Sequence, residues 1–239
     1  MTGAGGFLGS HLVEALVEGG ADVRALVHYN ALGTWGWLDH SPVARSVDVV
    51  AGDIRDADSL RGAAEGVEVV FHLAALVGIP YSYVTPSSYV KTNVEGTLNV
   101  LGAALRAGVA RVVHTSTSEV YGTARHVPIA EGHELQAQSP YAASKIAGDK
   151  LAESYWHSFG LSVVIARPFN AYGPRQSARA VLPSIITQCL LGDVVRLGNL
   201  SPTRDLTFVH DTVRGFLARG AKPASRERPS TWARAMRSR

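Results

Sequence analysis

Tyr141 and Lys145 stand four residues apart in S-P-Y-A-A-S-K, residues 139–145. On a helix that spacing puts both side chains on one face. An ammonium beside a phenol favours the phenolate, and a phenolate tuned toward neutral pH can take the proton of an alcohol being oxidised. The spacing alone fits an exposed helix face equally well. Upstream, R-V-V-H-T-S-T-S-E-V-Y-G (111–122) runs from β-branched residues into a hydroxyl cluster with one carboxylate, among them Thr115, Thr117, Ser118 and Glu119. That pattern describes a buried strand whose C-terminal end carries polar groups. A second candidate opens the chain: Gly3, Gly6 and Gly9 form G-x-x-G-x-x-G. Such a loop lets the backbone approach a pyrophosphate seated on a helix N-terminus. By itself it is also compatible with a glycine-rich turn capping an ordinary helix.

The elements that must position these groups follow from periodicity. Apolar residues at Leu12, Leu16 and Val17 predict a helix after the glycines, ending at Gly19-Gly20. Ser139 as N-cap and Pro140 at the first helical position predict a helix starting there. Strands are expected over 23–27, 47–51 and 67–73, with helical pattern between the later ones. Alternating strands and helices argue for a doubly wound parallel α/β sheet. The strand that should precede the glycine loop is apparently missing, because Met1-Thr2 leads straight into it.

Composition narrows the class. At 239 residues, with 46% hydrophobic and 18% charged residues, the chain can bury a sizeable core. No apolar run spans a bilayer and no signal peptide is visible, so no membrane partner is expected. One cysteine, Cys189, excludes an internal disulfide and fits the cytoplasm. Cys189 lies in an apolar helical run and is expected to be buried. The sequence pI is about 9.1, but residues 220–239 hold six of the basic residues and one acid. The remainder carries 17 basic against 19 acidic residues and no basic stripe with interleaved aromatics, which argues against nucleic acid. The nine histidines show no metal-ligand spacing, so no metal is expected.

The chain resembles an extended short-chain dehydrogenase/reductase of the NAD-dependent epimerase/dehydratase family. The resemblance rests on T-G-A-G-G-F-L-G (2–9), G-D-I (52–54), F-H-L-A-A (71–75), T-N-V-E-G-T (92–97), T-S-T-S-E-V-Y-G (115–122), Y-A-A-S-K (141–145), R-P-F-N-A-Y-G-P (167–174) and R-D-L-T-F-V-H-D (204–211), in family order. It implies a Rossmann domain over 1–170, a partial nucleotide-sugar lobe over 171–219 and a disordered basic tail over 220–239. It also implies NAD held by Gly3, Gly6, Phe7, Leu8 and Gly9, by Asp53 and Ile54 at the adenine, and by Leu73, Ala74, Ala75 and Pro168. Tyr141 would be the base, with Lys145 orienting it and holding the nicotinamide ribose. Thr117 would bond the sugar 4-hydroxyl, and Asn170 and Arg204 would contact the substrate diphosphate. A homodimer built on helices near 87–106 and 139–158 is implied as well. One departure concerns the cofactor: the strand ending Val27-His28-Tyr29-Asn30 lacks the acid that would bond a ribose 2′-hydroxyl, which leaves NADP open beside NAD.

Within that family Glu119 decides the reaction. Oxidising C4 of a hexose acidifies the C5 proton. A carboxylate there could remove it while the C6 hydroxyl leaves as water. Tyr141 and Glu119 would serve those two steps, with Ser118 where other dehydratases carry an aspartic acid, so the expected activity is nucleotide-sugar 4,6-dehydration. The stretches 29–38, 114–124 and 174–183 most resemble configuration-retaining UDP-N-acetylglucosamine 4,6-dehydratases. Trp35 and Trp37 are expected to pack a loop over the adenosine end. Two alternatives stay open: a 4-epimerase in which Glu119 is a solvated loop carboxylate, and a non-catalytic remnant. The remnant reading rests on the ends. Met1 stands where the family's first strand finishes, suggesting a misassigned start, and the Arg/Ala/Pro/Ser-rich tail reads as out-of-frame sequence.

Overall fold

The computed structural model describes residues 1–201 and 203–220, together with the backbone of 230–232. After the glycine loop come α1 (Phe7–Glu18), β1 (Val23–His28), β2 (Val47–Gly52), α2 (Ala57–Arg61) and β3 (Val69–His72). Two short helices, α3 (Ile79–Val84) and α4 (Pro86–Tyr89), lead through a π turn (Val90–Glu95) into α5 (Gly96–Arg106). Then follow β4 (Arg111–Thr115), α6 (Pro140–Phe159), β5 (Val163–Ala166), β6 (Asn170–Tyr172), α7 (Val181–Leu191), β7 (Leu206–Phe208), α8 (Val209–Gly220) and β8 (Ser230–Trp232).

β1 pairs with β2, and β3, β4, β5 and β8 pair in that order, all in parallel. Thr2 bridges the two sets, lying parallel to both Leu26 of β1 and His72 of β3. Met1-Thr2 therefore stands at the place of the strand expected before the glycine loop. Its bonds are Leu26 N–H to Met1 O at 2.7 Å, Thr2 N–H to Phe71 O at 3.0 Å and Leu73 N–H to Thr2 O at 3.2 Å. Strand order reverses at this point, which in an open α/β sheet is where a ligand crevice forms.

The central strands are apolar on both faces, as parallel strands covered by helices must be. Successive side chains point to opposite faces, so neighbours in sequence join different cores. Val70, Val112 and Ile165 pack with Leu60, Leu101 and Ala104 on the side of α2, α5 and α6. Phe71, Val113 and Ala166 pack with Leu12, Val213 and Phe216 on the side of α1 and α8. α8, which the sequence reading assigns to the second lobe, thus belongs to the sheet's own helix layer. β6 and β7 pair separately, in parallel.

The helix signals translate directly. Ser139 Oγ accepts the Ala142 N–H at 3.0 Å, and Gly160, in the left-handed conformation at φ 70°, ends α6. α7 departs from expectation: none of its residues is buried, and Cys189 is exposed. In V-L-P-S-I-I-T-Q-C-L-L, Val181, Ile186, Leu190 and Leu191 are exposed beside Cys189, while Leu182, Pro183, Ser184, Ile185 and Gln188 are half-buried. In the segment read as tail, Gly220 ends α8 and residues 230–232 run beside β5; the other tail residues lie outside the described ones.

Candidate active site

The glycine loop is shaped by contacts that admit no side chain. Gly3 has φ +70°, and a Cβ there would come within 2.7 Å of Ala74 N. A Cβ on Gly9 would fall 2.1 Å from Gly3 O, and one on Gly5 2.2 Å from Trp35 O. The turn closes with Gly6 N–H to Gly3 O at 3.1 Å. α1 then begins with no side-chain cap at Gly6, leaving the N-terminal amides to attract an anion. The loop after β1 folds back over this cradle, with Trp37 N–H donating to Gly5 O at 3.0 Å.

From the cradle a cavity of about 800 Å³ runs along the ends of β1, β3 and β4. Gly3, Gly6, Phe7, Leu8 and Gly9 line one end, Leu73, Ala74 and Ala75 the middle, and Pro168 and Asn170 the far wall. Thr117, Glu119, Tyr141 and Lys145 share that wall. The strand end and the helix meet because Thr117 bonds both ways. Its Oγ1 accepts the Glu119 N–H at 3.2 Å, fixing the 3-10 turn Ser118–Tyr121, and its hydroxyl also bonds the Tyr141 phenol. Lys145 Nζ donates to Thr115 O at 2.6 Å.

Burial governs the charges here. It pushes the Tyr141 phenol up to about 12; the Thr117 hydrogen bond opposes this and the Glu119 carboxylate adds to it. Burial also brings the Lys145 ammonium down to about 8, with Asp149 partly resisting. In the chain by itself desolvation is the largest cause on both groups, and on Tyr141 it works against the phenolate expected from the neighbouring lysine. Beneath Lys145, Asp149 is fully buried. It receives Arg167 Nε at 3.0 Å and Nη2 at 2.9 Å, and its Oδ1 lies 3.4 Å from His114 Nε2. Burial alone would raise Asp149, but His114, Arg167 and Ser116 together hold it below the usual carboxylate range. His72 and His114 stack at 5.5 Å, and burial lowers both.

Several expected residues lie off the cavity wall. Ser118 does not line the cavity, and its backbone N–H bonds Pro168 O at 3.1 Å. Ile54 packs in the core, and Asp53 is held by Arg55. Arg204 is exposed and bonds Thr203 O at 2.9 Å. Other residues join the site without a sequence signal. Asn30 and Thr34 line it, beside Trp35, which was expected on a loop here, while His72, His114, Asp149 and Arg167 support it from behind. Asn93 is a further support: it accepts the Leu76 N–H at 2.8 Å and donates to Ser144 Oγ at 2.9 Å, tying the loop after β3 to α6.

A switch-point crevice, a glycine cradle on a helix N-terminus and a Thr–Tyr–Lys wall define a dinucleotide-binding oxidoreductase-like fold. The chain matches the family described as GDP-mannose 4,6 dehydratase over residues 1–225, and it belongs to that family. It is 38% identical to a dTDP-glucose 4,6-dehydratase of an Actinoplanes strain, covering 92% of this chain and 72% of the relative. It is 37% identical to a UDP-glucose 4-epimerase of Mycolicibacterium smegmatis, covering 95% and 74%. Among solved structures, the dTDP-glucose 4,6-dehydratase DesIV of Streptomyces venezuelae, crystallised with NAD, superposes with a TM-score of 0.85 at 34% identity, covering 97% and 73%. Among the described residues no helix is long and apolar enough to cross a membrane.

Proposed function

We propose that the chain is a nucleotide-sugar 4,6-dehydratase that binds NAD and converts UDP-N-acetylglucosamine to its 4-keto-6-deoxy derivative. The observation that carries this reading is the shared wall of Glu119 and Tyr141, close enough that the carboxylate helps keep the phenol protonated. The cradle of Gly3, Gly6 and Gly9 fits a pyrophosphate, and Leu73, Ala74 and Ala75 leave room for a flat ring system. NAD, when bound, supplies a hydride acceptor for C4, a donor for C6 and a positive charge beside Tyr141. Tyr141 takes the C4 hydroxyl proton, Thr117 orients that hydroxyl, and Lys145 holds the ribose and offsets the phenolate. Glu119 removes the C5 proton and delivers it to the departing C6 hydroxyl, since Ser118 has no acid to offer; once hydride has returned to C6, C5 takes up a proton from solvent, matching the one that Tyr141 took from the C4 hydroxyl and releases. Asn170 contacts the diphosphate, as does Arg204 after moving inward. Asp53, whose Oδ2 lies 3.5 Å from His28 Nε2, stands beside the adenine end of the cavity, with Ile54 behind it in the core.

The test is incubation with UDP-N-acetylglucosamine and NAD, followed by mass analysis. The expected product has lost one water, and Glu119→Gln lowers its rate by about 10²–10⁴-fold while C4 oxidation persists. A C4 epimer of unchanged mass would instead establish the epimerase reading, which the M. smegmatis relative favours. Retention of NAD without turnover would mark a remnant, a reading favoured by the exposed apolar residues of α7.

The chain acts as a homodimer in the cytoplasm on this reading. Exposed Tyr83, Val84 and Val90 near α4 supply apolar surface for a second copy, and the exposed thiol of Cys189 suits a reducing compartment.

A further inference from the structure

Behind Tyr141 and Lys145 lies a cluster of buried charge to which the proposed chemistry gives no part. Asp149 follows Lys145 by one turn of α6, on the same helix face. Among the described residues it is the only acidic side chain that is fully buried, and two cations, Lys145 and Arg167, are buried with it at 3% exposure each. β4 grips both ends of this arrangement. Its Thr115 carbonyl accepts Lys145 Nζ at 2.6 Å, and its His114 places Nε2 3.4 Å from Asp149 Oδ1. Arg167, at the end of β5, donates to Asp149 Oδ2 from Nε at 3.0 Å and Nη2 at 2.9 Å, and from Nη1 to the Tyr121 hydroxyl at 3.2 Å.

The buried charges are uneven. Burial keeps His72 and His114 neutral, and it keeps Tyr89, whose ring meets that of Tyr141 edge-on at 6.2 Å, protonated. Two cations therefore face one carboxylate, and the imbalance closes when Tyr141 gives up its proton. Asp149 is the charge that favours the Lys145 ammonium. On Tyr141 its effect is adverse, but smaller than that of Glu119 on the cavity wall. A neutral amine could still hold the Thr115 carbonyl, but it could not offset a phenolate.

We propose that Asp149 is a positioning residue for the reacting pair: it keeps Lys145 a tethered ammonium on the helix face of Tyr141, while Arg167 and His114 hold its own carboxylate in place. The inference rests on reading Tyr141 and Lys145 as that pair, so the experiment observes Lys145 directly and turnover separately.

The chain has four lysines, Lys91, Lys145, Lys150 and Lys222. Carbon-13 labelling of lysine side chains therefore gives few resonances, and loss of one in Lys145→Met identifies its signal. In the full chain without ligands that signal is expected to titrate with a midpoint of about 8. Asp149→Asn is expected to lower the midpoint, weakening proton affinity at least about tenfold. Direction separates this from a structural effect: a fold merely loosened would let water reach Lys145 and raise the midpoint toward 10.5. Should Asp149→Asn not fold, Asp149→Leu with Arg167→Met removes both buried charges together and is expected to lower the midpoint as well. A midpoint that stays or rises overturns the inference. In turnover with NAD and UDP-N-acetylglucosamine, the fall in rate at high pH is expected to move down with the midpoint; a rate profile that stays put while the midpoint falls also overturns it. Absence of turnover in the wild-type chain overturns the reading of the pair and leaves the midpoint to decide the link between Asp149 and Lys145.

Discussion

Lys145 works against the fold that holds it. Its ammonium is buried at 3% exposure and its affinity for the proton falls to about 8 from the ordinary 10.5. A lysine whose folded pKa is depressed destabilises the protein at neutral pH. The unfolded chain binds more protons between about 8 and 10.5, so stability should rise across that window. Lys145→Met should accordingly raise unfolding stability at pH 7 by about 1–2 kcal/mol in urea titrations while abolishing turnover. Asp149 is the reverse case. Its depressed carboxyl contributes stability above the unfolded carboxylate value of 3.8, and that contribution is lost as pH falls through its lower folded value. Asp149→Asn leaves Arg167 buried without its counter-charge and should cost about 3–5 kcal/mol. Asp149→Leu combined with Arg167→Met should be less damaging than Asp149→Asn alone.

At the level of elements, α1 and its cradle have no slack. A methyl on Gly9 meets the backbone oxygen of Gly3 at 2.1 Å. Gly9→Ala should destabilise the chain by about 1–3 kcal/mol and weaken dinucleotide binding by more than about tenfold. α5 depends on packing instead: Leu101 is wholly buried, and Leu101→Ala should cost about 2–5 kcal/mol in the same denaturation assay. The glycine spacing and the Ser139-Pro140 start of α6 were legible because each signal is local, written within one turn of the element it specifies. The same holds for the Tyr141–Lys145 pair. Its protonation was not legible, since spacing reports proximity and says nothing of how deeply both groups are desolvated. His114, Asp149 and Arg167 escaped notice for a different reason: they come from β4, α6 and the end of β5, and only the sheet brings them together. Cys189 misled because an apolar run implies burial only if something packs on it.

Taken whole, the molecule is a parallel sheet between helix layers, but the sheet is unevenly joined. β1 and β2 form one paired unit and β3, β4 and β5 another; between them stand the main-chain bonds of Met1-Thr2. Amides of β1 and β2 should therefore exchange with deuterium faster than those of β4, a difference that native-state exchange would measure directly. The bond of Thr2 Oγ1 to His72 Nδ1 at 2.8 Å adds a side-chain stitch across the same line. The cavity straddles that line, with His28 and Asn30 on one bank and Ala74 and Ala75 on the other. A molecule lying in it would act as a clasp, so that occupancy should slow exchange in β1 and β2 far more than in β4, and the cleft would double as the fastening that keeps the two halves in register.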